Sequence, residues 1–204
     1  EKHSHFGMIS HLQAGASGLP FMPMRQTAAL DLEKANPLYR RVQDPYGGED
    51  VVVVPALHPD VAIVHVQRAD SEGNAQIWGI LGEQREAAFA SKRVILTAEE
   101  IVDPEIIRSD PNRTLIPSLV VSAVCHVPWC AHPSYTQGYY DRDNELYLRW
   151  EEISKDESGM RAYLDEWVYG VKDREEYLEK LGAETRERLK PGLRLSAPVN
   201  YGSY

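Results

Sequence analysis

Apolar positions in this chain follow a helical period first and a strand period next. Phe6, Met8, Ile9, Leu12 and Ala16 recur at helical spacing and predict a helix over 6–17, with Gly18 as its stop. Pro20 and Pro23 cannot continue that helix and suit an edge strand over 19–23. Residues 25–49 hold the breakers Asn36-Pro37, Asp44-Pro45 and Gly47-Gly48 and read as one long loop. Four successive valines, Val51 to Val54, predict a strand, and a second covers 61–66. The second is apolar on both faces, as buried parallel strands are. Asp70 to Asn74 reads as a turn, with Gly73 where a positive φ is needed. A helix over 82–92, a strand over 93–97, a helix over 104–109 opened by Pro104, and a strand over 119–127 follow.

The pattern then changes. Segments 141–155, 158–169 and 174–181 carry apolar residues at helical spacing among charges, including Leu146, Trp150, Met160, Tyr163 and Trp167. Such amphipathic helices are expected to pack on the sheet or on a partner. Alternating strand and helix predict an α/β fold: an open, mostly parallel sheet with flanking helices and a helical C-terminal region. The expected organisation is one domain over 1–204, with a helical extension over 141–190 and a polar tail over 191–204.

Charge narrows the function classes. Asp plus Glu number 31 against 22 Lys plus Arg, a net charge of −9, which argues against a generic nucleic-acid binder. No apolar run approaches the roughly 18 residues of a membrane span. No apolar h-region of a signal peptide follows Glu1-Lys2-His3-Ser4-His5, although the chain begins without Met. Two cysteines make a disulfide framework unexpected, and a reducing cytoplasm is the default location.

Several residue groups could carry chemistry. Cys125, His126, Cys130 and His132 are all metal-ligand types. The adjacent pair Cys125 and His126 would point to opposite faces of a strand end, a poor chelate, so no metal is expected. Either cysteine could be a nucleophile only with a thiolate-stabilising neighbour, and the buried structural role is the expected one. Neither G-x-G-x-x-G nor a P-loop motif is present. Glu99 and Glu100 follow the strand over 93–97 at its carboxyl end. They are either acid–base groups or acids favoured at a helix start. The loop over 128–137 holds Trp129, His132, Ser134, Tyr135 and Gln137, a set suited equally to a pocket wall and to an anchored surface loop.

One stretch is more specific. His58-Pro59-Asp60-Val61-Ala62 leads through Ala69-Asp70-Ser71-Glu72-Gly73-Asn74 to Gly79. This resembles the signature of family I coenzyme A transferases. Gly18-Leu19-Pro20-Phe21-Met22-Pro23-Met24-Arg25 resembles the G-x-P-F-x-P-x-R segment of the glutaconate-type alpha subunit. The segments from Ile95 to Val102, from Cys130 to Ser134 and from Gly138 to Asp143 extend the likeness over about residues 6–170.

The resemblance implies an alpha subunit of the CoA-transferase (NagB-like) fold, paired with a beta subunit in a heterodimer or larger assembly. It implies ping-pong transfer of CoA from an acyl-CoA thioester to a carboxylic acid, with a beta-subunit glutamate as the nucleophile. The CoA thioester is a substrate, and no permanently bound cofactor is expected. The family's E-x-G glutamate motif is not found here, so no catalytic residue is expected in this chain and the chain alone should be inactive. The family's alpha subunits also carry further upstream residues. For substrate contacts the expectation is Arg25 and Gln26 on the acyl carboxylate, Asn74 and Gln76 lining the site or holding the hairpin, and His132 and Ser134 closing the pocket. Two alternatives share the fold: a hydrolase subunit opening a cyclic CoA thioester, and a non-catalytic subunit that stabilises a catalytic partner.

Overall fold

The computed structural model describes residues 2–25 and 29–191. Helix α1 (His5–Ala16) begins where Ser4 accepts a hydrogen bond from the Gly7 amide at 2.9 Å. It buries Ser10, His11, Leu12 and Ala14. Gly15 lies against the Leu57 carbonyl and Ala90, and the Tyr39 hydroxyl fills the space beside Gly7. His11 Nδ1 bonds the Pro55 carbonyl at 2.6 Å and ties α1 to the chain that leaves the four valines.

Strands β1 (Phe21–Met24), β2 (Arg40–Val42) and β3 (Val51–Pro55) form a separate antiparallel sheet in the order β1-β3-β2. The two prolines of β1 and its approach sit on an edge strand, as expected. The loop expected over 25–49 is wrong in detail: it contains α2 (Ala29–Ala35) and β2. Asn36 and Pro37 end α2 rather than breaking a loop, because the Asn36 side chain turns back to accept the Leu38 amide at 3.0 Å. Met24, Tyr39, Val52 and Val54 make the core of this unit.

The main sheet has the order β7-β5-β4-β6-β8. Its central pair, β4 (Ala62–Asp70) and β6 (Val94–Val102), is parallel, connected through α3 (Gln84–Ala90). The short strands β5 (Ala75–Gln76) and β7 (Thr114–Ile116) add antiparallel pairs on one side, and β8 (Val121–His126) lies on the other. The sheet is therefore open and mixed. Val64, Val66, Val94, Leu96, Ala98 and Ile116 form its main core. At the turn, Gly73 takes φ 96° and Asp70 accepts the amides of Glu72 and Asn74, each at 2.9 Å.

Helix α4 (Pro104–Ser109) leads from β6 toward β7. After β8 come α5 (Asn144–Ile153), α6 (Glu157–Trp167), α7 (Arg174–Leu181) and α8 (Ala183–Arg188). Asp103, Asp143, Asp156 and Asp173 cap α4, α5, α6 and α7 by accepting an amide of the first turn, each worth about 1 kcal/mol. Helices α5 and α6 have no buried residue. Their aromatic contact is mutual, with Trp150 and Tyr163 edge-to-face at 5.2 Å. No helix among the described residues is long and apolar enough to cross a membrane.

Candidate functional site

Strand β6 is longer than the spacing suggested, and this relocates its acids. Glu99 does not start a helix. It stands inside the strand, 5% exposed, on the same side as Thr97. Cross-strand pairing sets His65 opposite Thr97. His65 Nε2 meets Glu99 Oε1 at 2.7 Å and Nδ1 meets Thr97 Oγ1 at 2.9 Å. An ionised carboxylate only accepts, so His65 Nε2–H is the donor to Glu99.

The loop after β8 closes over this carboxylate. The Trp129 amide donates to Glu99 Oε2 at 2.9 Å, and the Tyr140 hydroxyl donates to Oε1 at 2.7 Å. Thr136 Oγ1 donates to the Tyr140 oxygen at 2.8 Å, and the Ala131 amide does so at 3.0 Å. The Trp129 ring stacks on Tyr140 at 4.3 Å and 9°. Trp129 takes φ 65°, a left-handed conformation that costs a bulky residue energy and is held by these contacts.

Burial is the largest influence on Glu99 and pushes its carboxyl up. The bonds from His65, the Trp129 amide and Tyr140 together outweigh it and hold the group below the usual carboxylate range. Burial, then the adjacent carboxylate, drives Tyr140 well above the ordinary phenol range. An enclosed carboxylate with this many donors is an anchor for the loop, not a base presented to a ligand.

Further out, near the carboxyl ends of β4 and β6, the character is cationic and aromatic. Arg68 Nε donates to Glu100 at 2.9 Å. The guanidinium groups of Arg68 and Arg113 lie 5.6 and 5.3 Å from the Trp78 ring centre. Tyr139, beside Arg68 and Glu100, is pushed up to about 12 by burial. This half-exposed surface sets two ion-paired arginines, Arg68 with Glu100 and Arg113 with Asp110, each at 2.9 Å, around an aromatic plane at the edge where open α/β sheets take ligands.

The described residues of the expected site have separate surroundings. Arg25 is exposed just after β1, and Gln26 lies outside the described residues. Asn74 donates to Asp70 Oδ2 and accepts the Ser118 amide, both at 3.0 Å. Gln76, 2% exposed, donates to the Ile107 and Asp110 carbonyls at 3.3 and 2.9 Å. His132 is buried, with Nδ1 on the Tyr177 hydroxyl at 2.6 Å and Nε2 near Asp143 at 3.3 Å. Burial lowers its pKa. Ser134 is half-buried in the same loop. Cys125 is exposed and Cys130 half-buried, contrary to the buried role expected of them. Among the described residues no three His, Cys, Asp or Glu side chains converge as metal ligands.

The missed residues are His65 and Tyr140; for Glu99, an acid–base group or a helix-start acid by sequence, what was missed is its burial. The Glu99-Glu100 pair interrupts an apolar run and so resembles a strand end; nothing local shows that one of the two acids is buried.

The sequence profile of the coenzyme A transferase family matches residues 3–126. The chain belongs to the coenzyme A transferase family. It is 45% identical over 181 residues to the A component of the 3-oxoadipate CoA-transferase of Pseudomonas knackmussii, covering 89% of this chain and 64% of that protein. The crystal structure of glutaconate coenzyme A-transferase from Acidaminococcus fermentans superposes with a TM-score of 0.85 at 36% identity, covering 95% of this chain and 66% of that chain. The IpdA subunit of the cholesterol ring-cleaving hydrolase of Rhodococcus jostii is 27% identical over 177 residues, covering 82% of this chain and 60% of that protein. The chain thus spans less than two thirds of the length of each of these family members. The match establishes the CoA-transferase fold, and the mixed open sheet is that fold's.

Proposed function

We propose that this chain is the alpha-type part of a heteromeric, cytoplasmic CoA-transferase that moves CoA between carboxylic acids. The observation that carries this is the 45% identity to the A component of a 3-oxoadipate CoA-transferase, together with the likeness to the glutaconate enzyme. Both relatives are named for dicarboxylates, which makes a dicarboxylic acid the leading substrate class. In this reading the nucleophilic glutamate belongs to a beta subunit, the donor substrate is a CoA thioester, and no cofactor is held permanently. The chain acts as one domain whose helical extension over 141–190 shields the loop after β8.

Within the chain, exposed Arg25 remains available to an acyl carboxylate, with Gln26 beside it in sequence. Asn74, Gln76 and His132 have their polar atoms engaged internally, which supports a scaffolding role for them. Ser134 lies in the loop they help to hold. Arg68 and Arg113, each paired with an acid of this chain, flank the Trp78 ring, which is placed to take a flat ligand group.

The test is co-expression with a beta-type subunit bearing an E-x-G glutamate, followed by CoA exchange over a panel of dicarboxylic acids. Borohydride trapping of the glutamyl thioester reports the intermediate. Exchange with a trapped adduct is expected. Absence of both overturns the transferase reading. The likeness to the ring-cleaving hydrolase subunit supports a second reading, which predicts opening of a cyclic CoA thioester with no trapped adduct.

A further inference from the structure

The three-stranded sheet has two faces of different character. Alternation sends Met22, Met24, Val52 and Val54 inward to the core. The other face carries Phe21, Val53, Pro55 and Val42, and with them Arg40. The register sets Arg40 opposite Val53, and Val53 lies between β2 and β1. Pro20, Pro37 and Leu38 stand around this face and enclose a hollow of about 340 Å³. Val53 at its floor is only 6% exposed, while Phe21 at its wall is 42% exposed.

The two neighbouring arginines behave differently. Arg41 forms a two-pronged pair with Glu33, at 2.6 and 3.0 Å. The acids Glu49 and Asp50 also act on Arg41. Arg41 also borders the hollow but is held by Glu33, whereas exposed Arg40 has no ion-pair partner among the described residues. An apolar hollow of a few hundred Å³ bordered by few polar groups has the composition of a small-molecule site. A guanidinium that lacks a carboxylate is matched by one brought in on a ligand.

We infer that this hollow binds a small carboxylic acid with an apolar body: the chain lies over Val53, Phe21, Pro37 and Leu38, and the carboxylate meets Arg40. The inference stands on the hollow and the unmatched cation, not on CoA transfer, and its test needs neither CoA nor a partner subunit.

The probe is octanoate, titrated into the ¹⁵N-labelled chain, with octanamide as the uncharged control. Saturable amide shifts are expected in β1, β2 and β3, with octanamide weaker by at least about tenfold. Arg40→Gln is expected to weaken octanoate by a similar factor and leave octanamide unchanged. Leu38→Trp fills the hollow and should abolish both. A thermal melt of each variant checks that it is folded. Undiminished octanoate binding by folded Arg40→Gln, shifts confined to another part of the chain, or no saturable binding to the parent chain each overturns the inference.

Discussion

Tyr140 donates its hydroxyl to Glu99 Oε1 at 2.7 Å across 41 residues of sequence. Removing that hydroxyl takes one donor from a buried carboxylate and strands the Thr136 hydroxyl and the Ala131 amide that bond its oxygen. Tyr140→Phe should therefore cost about 1.5–3 kcal/mol in urea unfolding. Glu99→Gln should cost more, about 3 kcal/mol or above, because the amide nitrogen replaces one of the two oxygens and cannot accept, so it sets a donor against either the Trp129 amide or the Tyr140 hydroxyl. A Glu99→Gln chain as stable as its parent would show that the loop does not depend on this carboxylate.

Acid should unfold the chain in two stages. His132 has a folded pKa below its unfolded value, so its contribution is fully present above about pH 6.5 and is lost as pH falls below that. Glu99 is also lowered on folding. Its contribution is present above about pH 4.3 and fades as pH drops through its folded value. Melting temperature recorded from pH 8 to pH 3 should fall gently and then steeply. His132→Asn should flatten the upper limb and leave the lower one.

The strands were largely legible in the chain's spacing, and the buried cluster around Glu99 was not. Val51 to Val54 and 61–66 read correctly because β-branched residues fill one or both faces of a strand. Strands β5 and β7 escaped because two or three residues give no period to detect. The end of β6 was misplaced because Glu99 looks solvated in sequence. Its three donor groups come from His65, Trp129 and Tyr140, and proximity of that kind exists only after folding. The same holds for Gln76, expected to line the site or hold the hairpin, whose bonds to the Ile107 and Asp110 carbonyls brace the end of α4.

That brace can be tested directly. Gln76→Ala leaves the Ile107 and Asp110 carbonyls without their side-chain donor and should cost about 1–3 kcal/mol. Hydrogen exchange should rise selectively at 107–113, the segment the amide holds. A uniform rise would mean that Gln76 supports the sheet as a whole.

Two glycines with positive φ should answer to alanine differently. Gly18, at φ 66°, has open space around it, so Gly18→Ala should cost about 1 kcal/mol of backbone strain. Gly79, at φ 95°, would drive a methyl group into Gln137, and Gly79→Ala should cost about 2–3 kcal/mol in the same melts. Shortening Gln137 to Ala in the second variant should recover the steric part and leave the strain.

The two glycines of α1 imply different freedom for sequence drift. Beside Gly7 stands a side chain, Tyr39, so a larger residue at 7 can be accommodated wherever 39 shrinks, and the two positions should covary among family members. Beside Gly15 stands the main-chain carbonyl of Leu57, which every amino acid possesses. No exchange elsewhere can make that room, so position 15 should stay glycine however far the rest of the helix diverges.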